Sequence, residues 1–170
     1  MAVPIIFKTI EESGLSTWIR DSPSILAYWF ILSCHAVGMA LLVGASVVID
    51  LRLLGVARDL PLAPLKELYR IIWIGFWIQV VSGALLLVAY PTKALTNPDF
   101  YIKLTLIGLS VAVMRMIRNR VFSDSGLSDS AMMMKGKALA AWSLVLWAGA
   151  VTAGRLLAYT YRYLKYDYRG

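Results

Sequence analysis

The sequence predicts an all-α fold, a four-helix transmembrane bundle preceded by an N-terminal amphipathic helix lying in the membrane interface. Three observations carry that expectation. Residues 25–49 contain no Asp, Glu, Lys or Arg, a run long enough to cross the ~30 Å hydrocarbon core at ~1.5 Å per residue. With 59% hydrophobic residues among 170 and a mean hydropathy of +0.69, the chain is too apolar for an ordinary soluble domain. Helix start and stop signals at Ser22-Pro23, Pro61, Pro64, Pro91 and Asn97-Pro98 divide the apolar stretches.

Residues 1–22 mix Ile5, Ile6, Phe7, Ile10, Leu15, Trp18 and Ile19 with Lys8, Glu11, Glu12, Arg20 and Asp21. That segment is too short and too charged to span. It suits one or two short helices in the headgroup layer with Trp18 as anchor and Ser16 as a cap. The membrane domain, 23–163, opens at Ser22-Pro23, with serine as N-cap and proline at the first helical position. Span one covers about 25–49 and ends in Asp50-Leu51-Arg52-Leu53-Leu54-Gly55. Asp50 and Arg52 are expected at the surface, meeting Arg70, Lys66 or Glu67. Pro64 opens the next helix, and span two, about 71–90, closes at Pro91. Asn97-Pro98 opens span three, about 100–117, whose Lys103 and Arg115 snorkel towards headgroups. Residues 123–126 form a turn. Span four is about 138–161, with a helix start as early as Ser128, and 164–170 form a tyrosine-rich tail in which Tyr166 and Tyr168 face a partner. No short apolar region followed by a cleavage site stands at the N-terminus, so the first span is expected to direct insertion.

The balance of 17 Lys and Arg against 10 Asp and Glu reflects topology and anionic headgroups rather than nucleic acid, because no basic run is interleaved with stacking aromatics. The loops after spans one and three carry nine Lys and Arg against two in the loop between spans two and three. The positive-inside rule therefore puts both termini outside. Trp18, Tyr28, Trp29, Tyr90, Tyr101, Tyr159, Tyr161 and Tyr163 are then expected to form the outer aromatic belt.

Cys34 is the lone cysteine, which excludes an intrachain disulfide and a thiolate zinc site. His35 is the lone histidine, and a titratable imidazole inside a span marks a functional site. It sits about ten residues, roughly 15 Å, from the outer end of span one. Tyr28, Leu32, Met39, Leu42 and Ser46 share its stripe. The chemistry this favours is axial ligation of haem b, imidazole being the usual protein donor to haem iron, with quinone binding as the other form of the same expectation. Arg155 and Lys103, placed at similar depth, would partner the anionic groups of such a ligand. Gly38, Gly44, Gly75 and Gly83 would permit close approach of a flat ring or, more simply, of a neighbouring helix. Met39 joins the candidate site but leaves the same face as His35, so a haem here would be five-coordinate, shared across a symmetric homo-oligomer, or completed by another subunit of a larger complex.

The alternatives are a scaffold subunit in which His35 ties helices together, and a proton, ion or metal transport component. Cys34 and His35 face about 100° apart on a helix, which argues against one soft-metal site. Met132-Met133-Met134 reads as a hydrophobic helix start. No nucleophile–base pair, carboxylate pair or phosphate loop is present, so an enzyme acting alone is not expected.

Taken together, Ile19-Arg20-Asp21-Ser22-Pro23, His35 through Gly44 (HAVGMALLVG), Asp50 through Gly55 (DLRLLG), Gly75-Phe76, Ser82-Gly83 and Asn97 through Lys103 (NPDFYIK) resemble an uncharacterised family of bacterial four-span membrane proteins. The resemblance covers roughly 10–120. It implies the four-span fold, a bacterial cytoplasmic membrane location, and His35, Asp50, Arg52 and Lys103 as characteristic polar positions. It departs at Ala27-Tyr28-Trp29, where a Tyr-Pro is expected, and that departure straightens the start of span one.

Overall fold

The computed structural model describes residues 5–24, 27–123 and 127–167, and every regular element among them is helical. The N-terminal segment forms two short helices, α1 (Ile5–Glu11) and α2 (Gly14–Asp21). Ser13, not Ser16, is the N-cap of α2, its hydroxyl accepting from the Ser16 N–H at 3.4 Å. Ser16 is fully buried and donates to the Ala89 carbonyl at 3.3 Å. Ile19 packs beside Ile31 and Ala89, while Trp18 stays exposed.

Ser22-Pro23 closes α2 instead of opening the first span. The Ser22 N–H bonds the Trp18 carbonyl at 3.2 Å, and a residue before proline is biased away from helix. The first long helix, α3, is Tyr28–Leu54. It ends at Gly55, whose φ of 101° only glycine adopts easily. The bonds Gly55 N–H to Arg52 O at 3.1 Å and Val56 N–H to Leu51 O at 3.0 Å satisfy otherwise orphaned carbonyls.

Pro64 stands in a 3-10 turn, Ala63–Glu67, that leads into α4 (Leu68–Ala89). Tyr90 ends α4 and Pro91 starts the short α5 (Pro91–Leu95). Asn97 caps α6 (Pro98–Val121) as expected, its side-chain oxygen accepting from the Asp99 N–H at 2.9 Å. Its amide donates to Thr160 Oγ1 at 3.1 Å, and that hydroxyl lies 2.8 Å from Asp99. The start of α6 is thereby tied to α7. Asn97→Ala removes a cap and a cross-helix bond at a site 1% exposed, and should cost about 1–2 kcal/mol of unfolding free energy in detergent. An unchanged unfolding curve would show that the cap contributes nothing.

The last helix, α7 (Asp129–Asp167), is 39 residues long. It starts well before 138 and continues through the beginning of the expected tail. Residues 124–126 of the expected turn, and Tyr168, lie outside the described residues, as do the Tyr161, Tyr163 and Tyr166 side chains.

Four helical stretches, Tyr28–Leu54, Ala63–Ala89, Pro98–Val121 and Asp129–Leu157, are long and apolar enough to cross a membrane, and the chain is a multi-pass membrane protein. Trp77, Val81, Trp142 and Val145 are exposed on the outside of the bundle, where lipid replaces water as the favourable neighbour. α3 packs antiparallel against α4 and α7, and α6 against α7, whereas α4 and α6 are not close-packed neighbours. The core is uneven. Leu42, Ile49, Leu53, Tyr69, Ile117, Val121 and Trp147 fill the half of the bundle nearer the α3–α4 connection, here the loop end. Towards the opposite, terminal end only Ile19, Ile31 and Ala89 form a second small cluster.

At the loop end Asp50 and Arg52 depart from expectation. Neither forms an ion pair with Arg70, Lys66 or Glu67, and both are buried. Arg52 turns its guanidinium under the 55–62 loop. There Nε donates to Leu60 O, Nη2 to Arg58 O at 3.1 Å and to Asp129 Oδ2 at 3.0 Å, and Nη1 lies 3.4 Å from Met133 Sδ. The last turn of α3 leaves orphan carbonyls and a turning loop to satisfy, and a planar five-donor side chain satisfies several at once.

Candidate functional site

Splaying of α4 from α6 towards the terminal end leaves a cleft of about 470 Å³, within the usual range for small-molecule sites. α3 contributes Tyr28, His35 and Leu42, spaced seven apart and so on one stripe. α4 contributes Phe76, Gln79 and Gly83, and α6 contributes Phe100, Lys103 and Ile107. Tyr90 and Lys93 complete one end of the lining. Val80 and Leu104, both lining and both exposed, flank the cleft from α4 and α6. Among the described residues its charged lining groups are Lys93 and Lys103, and no acidic side chain lines it.

His35 lies across α4 at Gly83, where a β-carbon would stand 3.2 Å from its Cε1. Its Nδ1 is 2.9 Å from Ser82 Oγ and its Nε2 is 3.1 Å from Gln79 Nε2. These contacts assign the tautomer. Ser82 Oγ is 2.6 Å from the Ile78 carbonyl and directs its single proton there, so the hydroxyl accepts from His35 and Nδ1 carries the hydrogen. Nε2 is then the lone-pair nitrogen, accepting from the Gln79 amide. The Gln79 amide nitrogen is also 3.9 Å from Met39 Sδ. Its Oε1 is buried with no partner among the described residues.

Lys103 reaches the cleft across Gly154 of α7, its Cε 3.5 Å and its Nζ 3.7 Å from where a Gly154 β-carbon would be. Among the described residues it makes no hydrogen bond or ion pair. Burial beside Tyr28 pushes the Tyr90 phenol above its ordinary value, so it stays protonated as a donor. The two rings meet edge to face at 6.0 Å.

The structure thus brings together His35 and Lys103, with Met39 one contact away through Gln79. Arg155 does not line the cleft, and its side chain is exposed. Gly38, Gly75 and Gly83 are close-approach positions, whereas a β-carbon at Gly44 meets nothing within 4 Å. Sequence reasoning missed Gln79, Ser82, Tyr90 and Lys93. Gln79 had a signal, being the only glutamine in the chain and set in an apolar run. Ser82 follows it at the three-residue spacing that shares a helix face.

Among the described residues no group of three or more His, Cys, Asp or Glu is placed to hold a bare metal ion. Haem asks for a protein nitrogen and for cationic partners to its propionates, and the cleft lining offers His35, with an oriented Nδ1–H and an Nε2 engaged by the Gln79 amide, together with Lys93 and Lys103. Comparison with protein-family models, with curated proteins and with solved structures finds no match for this chain.

Proposed function

We propose that this chain is a small membrane subunit of a bacterial electron-transfer complex that holds haem b in the cleft, with His35 as the iron donor and both termini periplasmic. The observation that supports this reading best is the tautomer of His35. A ligating histidine characteristically donates its other ring N–H to a fixed acceptor, which orients the ring and raises the basicity of the free nitrogen. Ser82, locked by its own bond to Ile78 O, is such an acceptor. Lys103 and Lys93 supply the positive charge that two propionates require. Haem supplies one-electron redox chemistry when bound. His35 would hold the group, with Ser82 orienting its ring and Gln79 yielding Nε2, and Lys93 and Lys103 would neutralise the carboxylates. A second axial ligand would come from another subunit.

A quinone is the second reading, favoured by one observation. His35 Nε2 is already satisfied by Gln79, while the Lys103 ammonium offers a donor to a quinone carbonyl, and Gln79 Oε1, without a partner among the described residues, offers an acceptor to the hydroxyl of the reduced form.

Purification in detergent from haem-replete and quinone-replete cells separates the readings. The expected result is a Soret band that His35→Ala abolishes while the size-exclusion profile and helical content persist. Lys103→Met should weaken retention of the chromophore roughly tenfold, the loss of one charge-assisted contact. A colourless wild-type preparation with quinone in its organic extract moves the assignment to the second reading. Neither chromophore nor quinone leaves a scaffold.

A further inference from the structure

A different group, at the other end of α3, has no part in the cleft. Asp50 lies about 22 Å beyond His35 by helical rise. It is 0% exposed, and neither carboxylate oxygen has a hydrogen-bond partner among the described residues. Each packed element fails to supply a counter-charge. On α3, Arg52 turns away to Asp129 and the loop carbonyls. On α4, the Tyr69 hydroxyl donates to Met114 O at 3.3 Å. On α6, Arg115 lies over the Trp73 ring at 5.1 Å and Arg118 over the Tyr69 ring at 5.7 Å, both exposed. On α7, Ser143 offers Asp50 a neutral hydroxyl, which also lies 3.7 Å from Met114 Sδ, and no counter-charge, while Trp147 Nε1 has no partner among the described residues. A carboxylate here would be a buried, uncompensated charge, costly enough that the neutral acid is the resting form and the carboxylate only a transient one.

Tyr69 is within electrostatic reach of both Asp50 and Arg118. Tyr69, Trp147, Arg115 and Arg118 also line a second cavity of about 20 Å³, large enough for one water molecule. It adjoins the large cleft at Leu42 and Phe76, which line both.

We propose that Asp50 is an intramembrane proton-binding site, held as the neutral acid and exchanging its proton with the loop-end solvent past Tyr69 and Arg118. The step is a simple proton transfer. The carboxyl O–H breaks, the proton passes to water at the loop end, and the carboxylate is re-protonated by the same route. This gives the subunit a function independent of what occupies the cleft: taking up or releasing a proton from one face of the membrane.

Infrared spectroscopy of the full chain in detergent tests it. At neutral pH a carboxylic-acid carbonyl stretch should be present in wild type, absent in Asp50→Asn, and moved to lower frequency when buffer is changed to heavy water. Tyr69→Phe should slow that exchange several-fold. Should Asp50→Asn fail to fold, wild type grown with aspartate carrying heavy carbon in its carboxyl decides, because the acid band must then shift. Identical wild-type and Asp50→Asn spectra in the acid region, or an unmoved band in the labelled wild type, overturn the assignment. A band that persists unchanged in heavy water overturns the route, and one that sodium ions abolish makes Asp50 a metal-cation ligand instead.

Discussion

Replacing Gly75 by valine should force α3 and α4 apart and abolish the cleft site with it. A β-carbon at Gly75 would lie 2.7 Å from the Leu42 amide nitrogen and 2.9 Å from the Gly38 carbonyl. The reciprocal β-carbon at Gly38 would stand 3.0 Å from the Gln79 amide nitrogen and 3.1 Å from Gly75 O. These are backbone atoms of two helices in direct contact, so no rotamer change relieves the clash, and the helices must separate. Small residues at such crossings let membrane helices gain van der Waals contact where no hydrophobic driving force exists between them. Overpacking commonly costs 1–3 kcal/mol, and a rigid backbone obstacle belongs at the upper end, about 3 kcal/mol. The same displacement moves His35 away from Ser82 and Gln79, so any ligand held through His35 is lost as well. Gly44→Ala is the matched control, since its β-carbon meets nothing within 4 Å. It should be neutral or slightly stabilising through helix propensity. Thermal unfolding followed by size exclusion compares the two, and equal curves would refute the crossing argument.

Arg52→Ala should produce the second large loss, roughly 2–4 kcal/mol. Arg52 is 4% exposed in its side chain and pairs with Asp129 at 3.0 Å. It also holds the carbonyls of Arg58 and Leu60. Asp129 Oδ2 accepts in turn from the Leu62 N–H at 3.3 Å. Removing the guanidinium leaves the Arg58 and Leu60 carbonyls without this donor and reduces the tie between the 55–62 loop and the start of α7 to the Leu62–Asp129 bond. Arg52→Lys should recover less than half, because an ammonium cannot present the planar fork that serves three acceptors at once. Asp129→Asn should cost less than Arg52→Ala, since the Asp129 side chain is 45% exposed and water screens what remains. Limited proteolysis in the 55–62 loop reads the effect directly. A loop as protected in Arg52→Ala as in wild type would mean that the Arg52 network does not hold it.

Local chemistry explains which readings of the sequence hold. Asn97-Pro98 opens α6 because an Asx side chain capping the first turn is a short-range device needing only its own neighbours. Ser22-Pro23 has the same form and ends a helix, because the bond that matters there is set by α2, itself held by Ser16 and Ile19 against Ala89. Asp50 and Arg52 stand at the last turn of a span, where charged residues ordinarily reach headgroups. The loop after Gly55 folds back over Arg52, and α7 covers Asp50. Arg155 and Lys103 share a similar depth, but only Lys103 lines the cleft, a distinction of helix rotation rather than of sequence position.

Hydropathy and length by themselves determined that four helices cross a membrane, because burying backbone polar groups in hydrocarbon leaves a chain little other choice. The solitary imidazole within span one was legible for a related reason: a titratable ring in an apolar run stands out on composition alone. Which nitrogen carries its proton, that Gln79 and Ser82 hold it, and that the space beside it is hollow were decided only by the tertiary structure. Each depends on the rotation and crossing of α3 against α4 at Gly38 and Gly75, and on the gap between α4 and α6. Long apolar helices carry almost no periodic signal to encode that rotation, since lipid and helix neighbours are equally apolar.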